Sequence, residues 1–66
     1  MFGFHQSTVR RIEVSGWTAR IEFYILFRQP AVGDRVDAGK QGRWLITKVL
    51  SDPGRLWGTV VQADRD

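Results

Sequence analysis

Trp17-Thr18-Ala19-Arg20-Ile21-Glu22-Phe23-Tyr24-Ile25-Leu26-Phe27 carries an apolar residue at every odd position, while its even positions begin Thr18, Arg20 and Glu22. Successive side chains of a β-strand point to opposite faces, so this period of two describes a strand with one face in a core. From Tyr24 onward the even side turns apolar as well. The second half is therefore expected to be covered on both faces, as when a long strand bends across a barrel.

Upstream, Thr8 to Val14 reads as a second strand, with Ser15-Gly16 as a two-residue hairpin turn. Pairing Val14 with Trp17 sets Ile12 opposite Ala19 and Arg10 opposite Ile21, and the two core faces coincide. The same register faces Arg11 with Arg20 and puts Glu13 and Glu22 on the diagonals. Facing like charges are unfavourable, so these arginines either lean on the glutamates or await an anion.

Downstream, Pro30 ends the long strand, and Gly33-Asp34 turns into a short strand from Arg35 to Ala38. The loop Gly39-Lys40-Gln41-Gly42 closes a hairpin with Arg43 to Leu50. There Trp44, Ile46 and Leu50 share one face, and Leu45, Thr47 and Val49 the other. Asp52-Pro53-Gly54 is a strong turn signal. A last strand runs from about Leu56 to Ala63, with Gly58 marking a bulge or a close backbone approach. Asp64-Arg65-Asp66 reads as a frayed tail. No amphipathic helical stretch interrupts this order, and five strands with tight turns predict one small antiparallel barrel over residues 1–66.

The chain has 66 residues and no cysteine, so packing, within one subunit or between several, must hold it together. One histidine and no cysteine cannot supply a Cys/His zinc site. Hydrophobic residues make up 42%, enough for a folded core. No apolar run approaches the roughly 20 residues of a membrane span, and Met1 to Gln6 lacks the charged-then-apolar order of a signal peptide. The expectation is a cytoplasmic protein that makes no membrane contact.

Catalytic patterns are not found. His5 falls in a segment expected to be loose, without a serine or cysteine partner at a recognisable spacing. Glu13 and Glu22 read as surface ion-pair carboxylates. Gly39 and Gly42 lack the Gly-Lys-Ser/Thr ending of a phosphate loop. Neither catalysis nor a cofactor is expected.

The positive signals are aromatic and basic. The formal net charge is +3, carried by eight arginines and two lysines, and arginine suits phosphate, carboxylate and aromatic partners because its planar fork donates bidentately and stacks. Trp17, on the alternating apolar face, is assigned to the core. Trp44 and Trp57 lie on strands that are apolar on both sides, and one of those sides must meet something other than the core. An exposed tryptophan beside arginine can stack on a base or anchor a protein contact.

Gly33-Asp34-Arg35-Val36, followed by a glycine-containing loop, a strand with Trp44 and a final strand, resembles the Gly-Asp-x-Val entry of SH3-like barrels such as KOW-type modules. It is also similar to plasmid-type dihydrofolate reductase, an SH3-like barrel that works as a tetramer around a central pore, and to small barrels of phage head-tail connection and tail assembly. The reductase family carries Val-Gln-Ile-Tyr in its pore. Here Val61-Gln62-Ala63-Asp64 lacks the isoleucine and the tyrosine, which undermines the cofactor and folate contacts. The resemblance implies an SH3-like fold, for which an OB-like barrel is the alternative.

The leading expectation is a nucleic-acid-binding barrel, with Arg11, Arg20, Arg43 and Lys48 on phosphates and Trp44 or Trp57 stacked on a base. The second is a protein-interaction or assembly module of phage or plasmid type, joining identical or different subunits. Homo-oligomers are expected, because Tyr24, Leu26, Leu45, Val49 and Trp57 exceed what one small barrel can bury.

Overall fold

The computed structural model describes residues 3–24, 29–50 and 58–66. Six strands form one sheet: β1 (Gly3–His5), β2 (Val9–Ser15), β3 (Thr18–Phe23), β4 (Arg35–Asp37), β5 (Arg43–Val49) and β6 (Val60–Arg65). Two single 3₁₀ turns, Gln6–Thr8 and Gly39–Gln41, complete the regular structure, and no α-helix occurs among the described residues. The strand order is β1-β4-β5-β6-β3-β2. All neighbours are antiparallel except β1 and β4, which run parallel.

The sheet is curled into a half-barrel, and one contact demonstrates it. β1 and β3 stand four positions apart in the strand order, which in a flat sheet would separate them by roughly 19 Å at about 4.8 Å per strand. Yet the rings of Phe4 on β1 and Phe23 on β3 lie 5.3 Å apart. Inside the curl sit Phe4, Ala19, Ile21, Phe23, Val36, Ala38, Trp44, Ile46, Val61 and Ala63, with Val9, Ile12 and Val49 packed against them.

The all-β barrel expected from the alternation of residues 17–27 is thus borne out, with one strand more than foreseen. The extra strand is β1. His5 is not in a loose segment but stands beside Asp37 in the parallel pair, on an exposed face. Ile25 to Phe27 and the Asp52-Pro53-Gly54 turn lie outside the described residues.

The hairpin between β2 and β3 differs from its expected register. Its loop is Gly16-Trp17, and the pairs are Ser15–Thr18, Val14–Ala19, Glu13–Arg20, Ile12–Ile21 and Arg11–Glu22. Gly16 has φ +62° and no non-glycine residue among the described ones has positive φ, which fits a type II′ turn with glycine at its first central position. The slip relative to the Ser15-Gly16 turn is two residues. A shift of two preserves which face is buried, so the apolar pattern cannot distinguish the two registers. Charge does: Arg11 and Arg20 do not face each other, and each stands opposite a glutamate.

Three further corrections concern β5 and β6. A register shift between Ile46 and Lys48 turns Val49, not Leu50, toward the core. A β-bulge has this effect because its extra residue breaks the alternation. β6 begins at Val60, and the last residues are ordered rather than frayed: Arg65 pairs with Trp44, and Asp66 accepts from Arg35 Nε at 2.8 Å. Gly58 answers the expectation of a close approach. Its φ is +88°, and a Cβ there would lie 2.9 Å from the Tyr24 carbonyl carbon and oxygen.

Between Pro30 and β4, Ala31 to Asp34 form a turn in which Asp34 N–H donates to the Ala31 carbonyl at 3.1 Å. Ala31 N–H donates back to Asp34 Oδ2 at 3.0 Å. The buried Asp34 carboxylate is therefore hydrogen-bonded where it fixes the entry to β4. Its role is local structure.

Candidate interaction surface

The outer face of the sheet collects the polar side chains. Because opposed residues of an antiparallel pair point to the same side, continuous rows run across β2, β3, β6 and β5. One row is Glu13, Arg20, Gln62 and Lys48; the next is Arg11, Glu22 and Val60. A further pair, Asp37 and Arg43, joins β4 to β5. Of the residues singled out in the sequence, Arg11, Arg20 and Lys48 thus share one face, and Arg43 is exposed on another part of the same sheet.

The face is not a basic patch. Arg11 and Arg20 have glutamates opposite, Arg43 has Asp37 opposite, and Arg35 pairs with Asp66. Arg11 Nε also lies 3.3 Å from Glu13 Oε1 along its own strand. Lys48 stands across from the neutral Gln62. Signs alternate across the surface, so a polyanion meets carboxylates as often as it meets cations.

Trp44 corrects the expectation of an exposed stacking platform. It is fully buried, its Nε1–H donates to the Gln41 carbonyl at 3.0 Å, and the Arg65 guanidinium sits 4.7 Å from its ring centre. A hydrogen bond for the indole N–H and a cation over the face are what a tryptophan needs to be buried without cost. It presents no free ring face to a ligand. Trp57 lies outside the described residues.

Among the described residues the exposed tryptophan is Trp17, assigned to the core from the alternation. Its relative exposure is 76%, because the two-residue loop lifts it off the strand. The signal that could have found it was Gly16, the residue type that a type II′ turn wants first. The loop is held in place: Arg65 N–H donates to the Trp17 carbonyl at 2.9 Å, and Arg65 Nε donates to the Gly16 carbonyl at 3.3 Å. Arg65 thereby links the buried tryptophan to the exposed one. Nearby, Val14 on β2 is also exposed, and Tyr24 is exposed at the far end of β3.

Between β1, β4 and β5 lies an open concavity of about 490 Å³ lined by Gly3, Arg35, Val36, Asp37, Arg43 and Asp66. Its two arginines are matched by two aspartates, which leaves no net charge for an ion. Among the described residues no group of three or more His, Cys, Asp or Glu could hold a metal ion, and no helix is long and apolar enough to cross a membrane. No protein family, no curated protein and no solved structure matches the chain.

Proposed function

We propose that this chain is a non-catalytic assembly module of the cytoplasm, a small SH3-like barrel that associates with further copies of itself through the β2–β3 hairpin. The observation that carries the reading is Trp17, a large aromatic held on a tight, hydrogen-bonded turn and three-quarters exposed. Tryptophan is the residue type most enriched among energetic hot spots of protein interfaces, and a rigid turn lowers the entropy lost when it docks.

The alternating charges of the outer face support a protein partner over a nucleic acid. A nucleic acid is bound tightly when many unmatched cations displace the counterions condensed on its phosphates, and here Arg11, Arg20, Arg35 and Arg43 already face or pair with carboxylates. The net charge of +3 favours the nucleic-acid reading, and two measurements separate the readings. Light scattering of the chain at micromolar concentration is expected to give more than the monomer mass. Titration of single-stranded DNA or RNA at about 50 mM salt, where even non-specific electrostatic binding appears, is expected to give no saturable complex. A monomer that binds either strand would overturn the proposal.

A further inference from the structure

Resting on that assembly reading, we propose that two copies join edge to edge, β2 against β2 and antiparallel, on a two-fold axis through Ile12 that sets Arg11 of each copy opposite Glu13 of the other. β2 ends the strand order, and among the described strands only β3 pairs with it. Such an edge offers a row of backbone donors and acceptors to another strand. The hairpin geometry says which ones. In a two-residue hairpin the residues flanking the loop form a hydrogen-bonded pair, and hydrogen-bonded pairs then alternate along the ladder. Ser15–Thr18, Glu13–Arg20 and Arg11–Glu22 therefore bond to each other. The N–H and C=O of Ile12 and Val14 point away from β3, toward the open edge.

A second strand must match these outward groups with its own, so only registers pairing even positions with even positions are allowed. Charge chooses among them. Centring on Glu13 would face two glutamates. Centring on Val14 would set Glu13 against Ser15 and Ile12 against the loop glycine, Gly16. Centring on Ile12 pairs Ile12 with Ile12 on the core side, and on the outer side makes two Arg11–Glu13 pairs.

This register also continues the pattern already present within one copy. The outer row becomes Arg20, Glu13, then Arg11 and Glu22 of the second copy, with signs alternating across four strands. Opposite charges directly across from each other stabilise a strand pair, and like charges destabilise it. The interface is isologous, as a two-fold requires, and the register brings the Trp17 tip to the level of the 3₁₀ turn Gln6–Thr8 of the second copy. The ladder with β3 shifts register between Val9 and Arg11, so the regular edge is the five residues Arg11 to Ser15, which cover less than the roughly 1,200–2,000 Å² of tight complexes. The dimer is therefore reversible at micromolar concentration.

Charge reversal tests the register. Arg11→Glu and Glu13→Arg, each shown folded by circular dichroism, should each raise the dissociation constant at least about tenfold in sedimentation equilibrium, since each now faces like charges. Mixed in equal amounts they should form a heterodimer near wild-type strength, because the reversed pairs are again complementary. Single variants that dimerise as well as wild type, or a mixture that stays monomeric, would overturn this arrangement while leaving the assembly reading standing. A monomeric wild type would remove both.

Cysteine placement gives a second, independent reading in a chain that has none of its own. Positions 11 and 13 would form a non-hydrogen-bonded pair with Cα atoms about 4.5 Å apart, within disulfide range. Arg11→Cys mixed with Glu13→Cys should oxidise to a cross-linked heterodimer. Cross-linking by Glu13→Cys alone would mean an axis at Glu13 and would contradict the proposal.

Discussion

Trp44 and Trp17 are the same residue on the same sheet, and they have opposite fates. Trp44 sits mid-strand on the inward face, satisfied by Gln41 and capped by Arg65. Trp17 sits in a two-residue loop whose backbone is pinned by that same arginine while the indole stays in solvent. The difference is one of backbone position, not of side-chain chemistry. A strand position inherits the sheet's inside or outside, and a loop position inherits neither. One tryptophan therefore serves stability and the other remains for contact.

Substitutions should separate these roles, beginning with the largest effect. Trp44→Ala removes the largest buried side chain among the described residues, and such truncations cost about 3–5 kcal/mol. In so small a domain this is a large part of the whole stability, so the cooperative urea transition seen by circular dichroism should be lost or moved to very low denaturant. Gly58→Ala should come next. A side chain there is strained by its φ and collides with the backbone at Tyr24, which costs on the order of 1–3 kcal/mol, read as a lower urea midpoint at unchanged slope.

Arg65→Ala tests the link between the two tryptophans. Losing the cation over Trp44 should cost about 0.5–2 kcal/mol, and the loop hydrogen bond to Gly16 goes with it. Lysine at the same position should recover only part of this, because it lacks the planar fork. Asp66→Asn breaks the pair with Arg35. As both side chains are substantially solvated, about 0.2–1 kcal/mol is at stake, and the difference from wild type should shrink as salt is raised.

The strands were legible because burial writes a period of two into the sequence. Ile21, Phe23, Val36 and Ile46 all fall on the faces their alternation indicates, and Gly58 announced a close approach that only glycine allows. What alternation could not convey was anything that leaves the period intact or breaks it once. The two-residue slip of the hairpin keeps every core residue inside, so only the turn chemistry of Gly16 and the pairing of Arg11 with Glu22 distinguish it. The shift after Ile46 reverses Val49 and Leu50 without any glycine or proline to signal it. The site was less legible for the same reason: Trp17 lies one step beyond the strand whose pattern it continues, and Trp44 is buried by partners, Gln41 and Arg65, that a face assignment does not reveal.

The smallest effect on stability should accompany the largest effect on association, and it belongs to Trp17. Trp17→Ala is expected to leave the unfolding free energy within about 0.5 kcal/mol of wild type, as for most surface positions. The most direct measurement is sedimentation equilibrium of wild type and Trp17→Ala over the same micromolar range. Wild type should pass reversibly from monomer to dimer, and Trp17→Ala should need at least about tenfold higher concentration to do so, the loss of one aromatic anchor. Superimposable curves for the two proteins, or a wild type that stays monomeric throughout, would contradict the account.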